Sequence, residues 1–263
     1  MKVSLIIPAY NEEKYIGRCL KSVNNQVIPA DEVIVVNNNS IDKTAAIAKK
    51  LGAKVIKEKM QGMIYARNRG FNTAKYEIIA RCDADAIVPR NWIKIIKKDF
   101  ENPKVDGLSG PVYFYDSEIL KSAKVTPSKI LQKSFKALSK GHEHMVGPNM
   151  AITKKIWEKV KNKVFLDESI VQEDSDLSLN IASVGGYIEL DPNLIVGISA
   201  RRIIKNPKSF FLIYPTKVVK TFWINRENLK KSSYSGKILF RKKFQHGSST
   251  NRNPVKLFWQ IKK

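Results

Sequence analysis

Two carboxylates two residues apart, Asp83 and Asp85, follow the apolar run Ile78-Ile79-Ala80 and precede Ile87-Val88-Pro89. If the strand continues through them, extended backbone points both side chains to one face. A hard divalent cation such as Mg2+ or Mn2+ takes oxygen ligands, commonly one or two carboxylates together with substrate phosphates. Asp-x-Asp is common in unrelated chains and decides nothing by itself. Further along, Glu173-Asp174-Ser175-Asp176 reads as the start of a helix. A carboxylate there can take the proton of an attacking hydroxyl, and the helix dipole favours its ionised form. Asp174 is the first candidate for that base and Glu173 the competing one; Asp174 can also serve as an N-cap.

The elements that must position these groups alternate. Val3–Ile7 is an apolar run closed by Pro8, and Ile16, Leu20 and Val23 follow at helical spacing. Val33–Val36 is a continuous apolar run, as expected of a strand buried on both faces. Thr44–Leu51 reads as a helix ended by Gly52, Lys54–Lys57 as a strand, and Met63–Thr73 as a helix leading to the strand before Asp83. This order argues an α/β fold with a mostly parallel sheet. Ligands of such sheets bind beyond the carboxyl ends of the strands. Pro8–Glu12, Asn37–Asp42 and Asp83–Asp85 all fall there. Later, Asn91 reads as the cap of a helix over 91–100, Gly107–Tyr115 as one strand, Thr126-Pro127 as a helix start, and Met150–Thr153 as a strand. A helix over Asp174–Val184 and strands over Tyr187–Leu190 and Leu194–Ile198 follow. Phe210–Asn225 and Gly236–Phe244 read as amphipathic helices.

Four segments in order, Ile6-Ile7-Pro8-Ala9-Tyr10-Asn11-Glu12-Glu13, Val35-Val36-Asn37-Asn38-Asn39-Ser40-Ile41-Asp42, Asp83-Ala84-Asp85 and Glu173-Asp174-Ser175-Asp176, resemble the family 2 inverting glycosyltransferases of GT-A fold. The resemblance covers residues 2–202. It implies a Rossmann-like sheet with flanking helices, a nucleotide-diphosphate sugar donor, a sugar or lipid-linked acceptor, and Mn2+ or Mg2+. It places the nucleotide base near Pro8, Tyr10 and the turn at 37–39. Relatives usually carry aspartate at the position of Asn37; an asparagine has no charge to offer a uracil N–H. Glu12 either contacts the ribose or caps the following helix, and Glu13 reads as belonging to the helix start. Arg67 either pairs with the nucleotide phosphates or is an exposed helix arginine. Asp85 is the implied metal ligand, with Asp83 touching the ribose or a metal-bound water. A histidine that many relatives place on a later strand is absent from Val196-Gly197-Ile198-Ser199-Ala200-Arg201-Arg202, where Arg201 or Arg202 can supply charge instead. His142 and His144 offer a separate, weaker metal-type pair. The Gln-x-x-Arg-Trp signature of processive members is missing, which implies addition of a single sugar.

Charge divides the chain. Residues 201–263 hold 17 Lys or Arg and one acid, Glu227. The whole chain carries +23, which leaves +7 for residues 1–200. We therefore expect a catalytic domain over 1–202 and a basic segment over 203–263, with aromatics such as Trp223 and Trp259 interleaved. That composition suits an anionic membrane surface. It also suits nonspecific nucleic acid, or a plain solvated tail. No signal-peptide layout follows Met1, and the two cysteines, Cys19 and Cys82, suggest a reducing compartment. The expected location is the cytoplasm, peripheral on the membrane. Two rival readings remain. A basic nucleic-acid-binding protein leaves the ordered carboxylates unexplained. A catalytically silent nucleotide-sugar-binding scaffold gives no reason to keep Asp83, Asp85 and Asp174 together.

Overall fold

The computed structural model describes residues 1–117, 135–137, 139, 141–208 and 213–230, with side chains to 226. The helix starts expected at Thr126-Pro127 and Gly236 lie outside them.

Among the described residues, seven strands form one sheet in the order β3-β2-β1-β4-β7-β5-β8. Its parallel half comprises β1 (Val3–Ala9), β2 (Glu32–Asn37), β3 (Lys54–Lys57) and β4 (Ile78–Arg81). Every residue of β1 and β4 is buried, which is why both runs lack polar alternation. The crossovers are α1 (Ile16–Asn24), α2 (Thr44–Lys50) and α3 (Met63–Thr73). Two apolar layers sandwich the sheet. One holds Ile16, Leu20, Trp92 and Ile96 from α1 and α4 (Trp92–Asp99). The other holds Phe71, Trp157 and Leu177 from α3, α5 (Lys154–Val160) and α6 (Glu173–Ser183). α3 lies close on β1 because Gly70 carries no Cβ; one built there would sit 2.2 Å from Ile6.

Beyond β4 the sheet turns mixed. β7 (Met150–Thr153) runs antiparallel to both β4 and β5 (Gly107–Ser109), and β8 (Ile188–Leu190) pairs parallel with β5. The single strand expected over Gly107–Tyr115 is two. β5 stays in the main sheet, while β6 (Val112–Phe114) pairs with β9 (Val196–Ile198) in a separate ribbon. The break is at Gly110-Pro111. The chain there passes so close to residue 194 that a Cβ on Gly110 would meet the Leu194 carbonyl oxygen at 2.0 Å. Pro111 has no N–H to continue a ladder.

Among the described residues, two helices follow β9. α7 (Arg201–Lys205) spans residue 202, and α8 (Tyr214–Lys230) packs on α6. Thr221 Oγ1 accepts from Gln172 N at 2.8 Å, and Asn225 Nδ2 donates to Asp176 Oδ1 at 3.0 Å, both fully buried on the α8 side. Val219 and Trp223 point outward, 61% and 66% exposed. No helix among the described residues is long and apolar enough to cross a membrane.

Candidate active site

The site lies past the carboxyl ends of β1, β2 and β4. Asp83-Ala84-Asp85 does not continue the strand. It forms a turn closed by Ala86 N on Asp83 O at 2.9 Å, so extended geometry does not aim the two carboxylates. Both are nonetheless buried, 8% and 6% exposed. Burial first, then repulsion from Asp83 and Glu12, pushes Asp85 up to about 6 against the pull of Arg202 and Arg201.

The turns after β1 and β2 clasp each other. Glu12 N donates to Thr44 Oγ1, Glu13 N to Asp42 Oδ2, and Lys43 N to Glu13 Oε2. Glu13 thus serves the start of α2, the other helix, and Asp42 holds the same start, its Oδ1 accepting from Thr44 N at 2.9 Å. Asn11 holds φ at +52°, and its Oδ1 accepts from Ile41 N. Asn37 closes its own turn, Oδ1 accepting from Ser40 N at 3.0 Å. The next residue, Asn38, lines the cleft with Pro8, Tyr10, Glu12, Gly62 and Arg202, around a volume of about 200 Å³. Asn38 is buried and fully used: Nδ2 donates to the Glu58 and Met60 carbonyls, and Oδ1 accepts from Gly62 N.

Arg67 is not exposed. Its buried guanidinium donates to Glu173 Oε2 at 2.6 Å and to the Glu173 carbonyl at 2.8 Å. Burial lowers its pKa from the ordinary arginine value, with Glu173 opposing. Glu173 also receives Arg81 Nη1 at 2.5 Å, and Arg81 Nη2 reaches Asp83 Oδ1 at 3.1 Å. Burial works against the Arg81 charge, but Glu173 and Asp83 outweigh it and hold its pKa above the ordinary value. A buried ion chain, Arg67–Glu173–Arg81–Asp83, therefore ties the end of β4 to the start of α6. It engages both Glu173 oxygens.

Asp174 opens α6, buried, with Oδ1 3.6 Å from His144 Nε2 and Oδ2 accepting from Gly147 N at 3.3 Å. Burial would raise its pKa; the attraction and hydrogen bond of His144, with Gly147 and Gln172, outweigh that and hold it at about 2. The Tyr214 hydroxyl on α8 bonds the same carboxylate; burial, then Asp174 and Glu173, pushes that phenol well above its ordinary range. His144 faces α6 and Phe135, not the Asp83–Asp85 pair. Asp176 turns away, accepting from Phe165 N and Asn225 Nδ2. Cys19 and Cys82 are free and buried.

Arg81 and Tyr214 escaped the reading of the sequence. Arg81 had a signal: an arginine ending an otherwise apolar buried strand needs a partner. Tyr214 had none, because its partner lies on a distant helix.

The residues suit a hard cation. Among the described residues no three His, Cys, Asp or Glu side chains form a metal-binding group, but two carboxylates completed by phosphate oxygens make such a site. Asp83 and Asp85 are buried close together at the end of β4, and Arg201 Nε already stands 3.2 Å from Asp85 Oδ2 as a cation there.

A family model described as glycosyl transferase family 2 matches residues 4–160. The chain belongs to glycosyl transferase family 2. A Methanococcus voltae family relative, dolichyl N-acetyl-alpha-D-glucosaminyl phosphate 3-beta-D-2,3-diacetamido-2,3-dideoxy-beta-D-glucuronosyltransferase, is 27% identical over 223 residues, 77% of this chain and 68% of that one. Other relatives are covered only in part. EpsH of Bacillus subtilis aligns over 97 residues at 38% identity, 35% of this chain and 27% of its own length. Among solved structures, the mannosyltransferase PcManGT from Pyrobaculum calidifontis, in complex with GDP-Man and Mn2+, superposes with a TM-score of 0.60 at 21% identity, over 88% of this chain and 72% of that one. S. aureus TarS 1-349, in complex with UDP-GlcNAc, gives 0.60 at 21%, over 76% and 58%. These likenesses establish the shared GT-A fold.

Proposed function

We propose that this chain moves one sugar from a nucleoside diphosphate sugar to an acceptor hydroxyl, inverting the anomeric carbon. The observation that supports it is the buried ion chain, which joins Asp83 at the end of β4 to Glu173, the residue next to Asp174. Pro8, Tyr10 and Glu12 line the cleft for the nucleoside; Asn38 shapes its wall, Asn37 is taken by its own turn, and neither offers charge to a base. Arg67 acts through Glu173 and does not meet the phosphates. Asp174 orients the acceptor hydroxyl and takes its proton. Its low basicity suffices, because a hydroxyl becomes strongly acidic as its oxygen bonds to carbon, and geometry ranks before pKa. Asp85 and Asp83 would hold Mn2+ or Mg2+, which when bound neutralises charge on the departing diphosphate.

The acceptor we propose is lipid-linked, and the surface is an anionic membrane. One relative's name carries a dolichyl-linked acceptor. The outward face of α8 sets Val219 and Trp223 beside Lys220 and Arg226, with Arg226 over the Trp223 ring. Apolar and aromatic anchors among basic residues suit a headgroup layer.

The test is donor binding. UDP- and GDP-sugars, screened by thermal shift, should stabilise the chain more with Mn2+ than without, and Asp85→Ala should remove the difference. Equal enhancement in that variant would exclude Asp85 as a ligand.

A further inference from the structure

Arg201 stands where the site needs a cation. Its Nη2 donates to both oxygens of Glu12, and its Nε lies 3.2 Å from Asp85 Oδ2. The Tyr15 ring supports it from one side, 4.0 Å from Cζ to the centroid. Both carboxylates are nearly closed to water, at 5% and 6% exposure. The backbone that carries Arg201 is anchored: Asp116 accepts Ser199 Oγ at 2.5 Å and Ala200 N at 2.7 Å. From this fixed corner a long side chain reaches the carboxylates.

We propose that Arg201 is the resident counter-cation of the donor-free protein. It competes with the divalent metal for Asp85 and releases that carboxylate only when metal and nucleoside diphosphate enter together. The inference rests on the metal-dependent reading above. A guanidinium and a dication on one carboxylate oxygen repel each other, and arginine cannot lose its charge to make room. It can only swing away. The incoming diphosphate supplies a destination, since guanidinium pairs with phosphate through two parallel hydrogen bonds. Metal alone therefore binds weakly, and metal and donor each raise the other's affinity by the same factor.

The experiment titrates Mn2+ alone into the full chain, Arg201→Ala and Arg202→Ala, reading free Mn2+ by electron paramagnetic resonance. Arg201→Ala should bind Mn2+ about tenfold more tightly, the gain expected when the competent state rises from about a tenth of molecules to nearly all. Arg202→Ala removes the same charge from a side chain 60% exposed and 3.8 Å from Glu12. It should gain less than about threefold, as a screened surface charge would. Adding UDP should then tighten Mn2+ binding more in the parent than in Arg201→Ala. Arg201→Gln, which keeps length and neutral donors, gives the same comparison if the alanine variant fails to fold. Unchanged Mn2+ affinity at position 201, or an equal gain at 202, overturns the competition while leaving the metal site standing. No Mn2+ binding in any variant, even with UDP, overturns both.

Discussion

Asp85→Asn should make the metal-free protein more stable at neutral pH while removing a proposed metal ligand. Asp85 is held up at about 6, against 3.8 for an ordinary aspartate. Between those values the folded protein binds a proton that the unfolded chain does not, so stability falls as pH rises through the window. Above it the cost is constant, at about 3 kcal/mol by the pKa difference. Roughly half of that applies at pH 5, and under about 1 kcal/mol at pH 4. Asparagine keeps the shape of the protonated acid and carries no charge. In EDTA, Asp85→Asn should therefore raise Tm by about 6 °C at pH 8, taking about 2 °C per kcal/mol for a chain of this size. The gain should shrink towards zero by pH 4. Thermal unfolding followed by circular dichroism across that range is the assay. A variant less stable than the parent at pH 8 would show that the attraction of Arg201 and Arg202 outweighs the cost of burying the ionised Asp85, and the raised pKa would be refuted.

Glu173→Gln should cost about 3–5 kcal/mol in denaturant unfolding, because it strips two buried arginines of their shared partner; a loss under about 1 kcal/mol would mean the ion chain holds nothing together. The intact protein should cosediment with vesicles containing anionic lipid at low salt, bind neutral vesicles weakly, and be released at high salt. Trp223→Ser should weaken that binding several-fold, by roughly the 1 kcal/mol or more of one interfacial anchor; unchanged binding would take the α8 face out of the contact.

The parallel half of the sheet was legible because β1, β4 and the middle of β2 are buried on both faces. Runs such as Val33–Val36 need no partner to be recognised, and a parallel sheet dictates that the turns after them gather at one end. The order of Pro8, Asn37 and Asp83 along the chain followed from that. What stayed hidden was set by contacts distant in sequence. The antiparallel entry of β7 between β4 and β5 depends on pairing that no local pattern records. Arg67 read as a phosphate partner or an exposed helix arginine because its partner, Glu173, lies 106 residues away. Phe210–Asn225 read as an amphipathic helix, but nothing in its pattern marked Thr221 and Asn225 as buried against α6. Asn37 was the natural candidate for choosing the base, but the local turn takes its side chain and brings Asn38 to the cleft.

Asp174→Asn tests the central claim most directly. The change preserves size, turns one of the two acceptor oxygens that receive Ser175 N and Gly147 N into a donor, and removes the capacity to accept a proton. With a nucleotide sugar, Mn2+ and a lipid-linked acceptor, nucleoside diphosphate release should fall by at least ~100-fold, the low end for general base catalysis, while donor affinity stays within about twofold of the parent. Turnover near the parental rate with donor bound normally would contradict the account and reduce Asp174 to a helix cap.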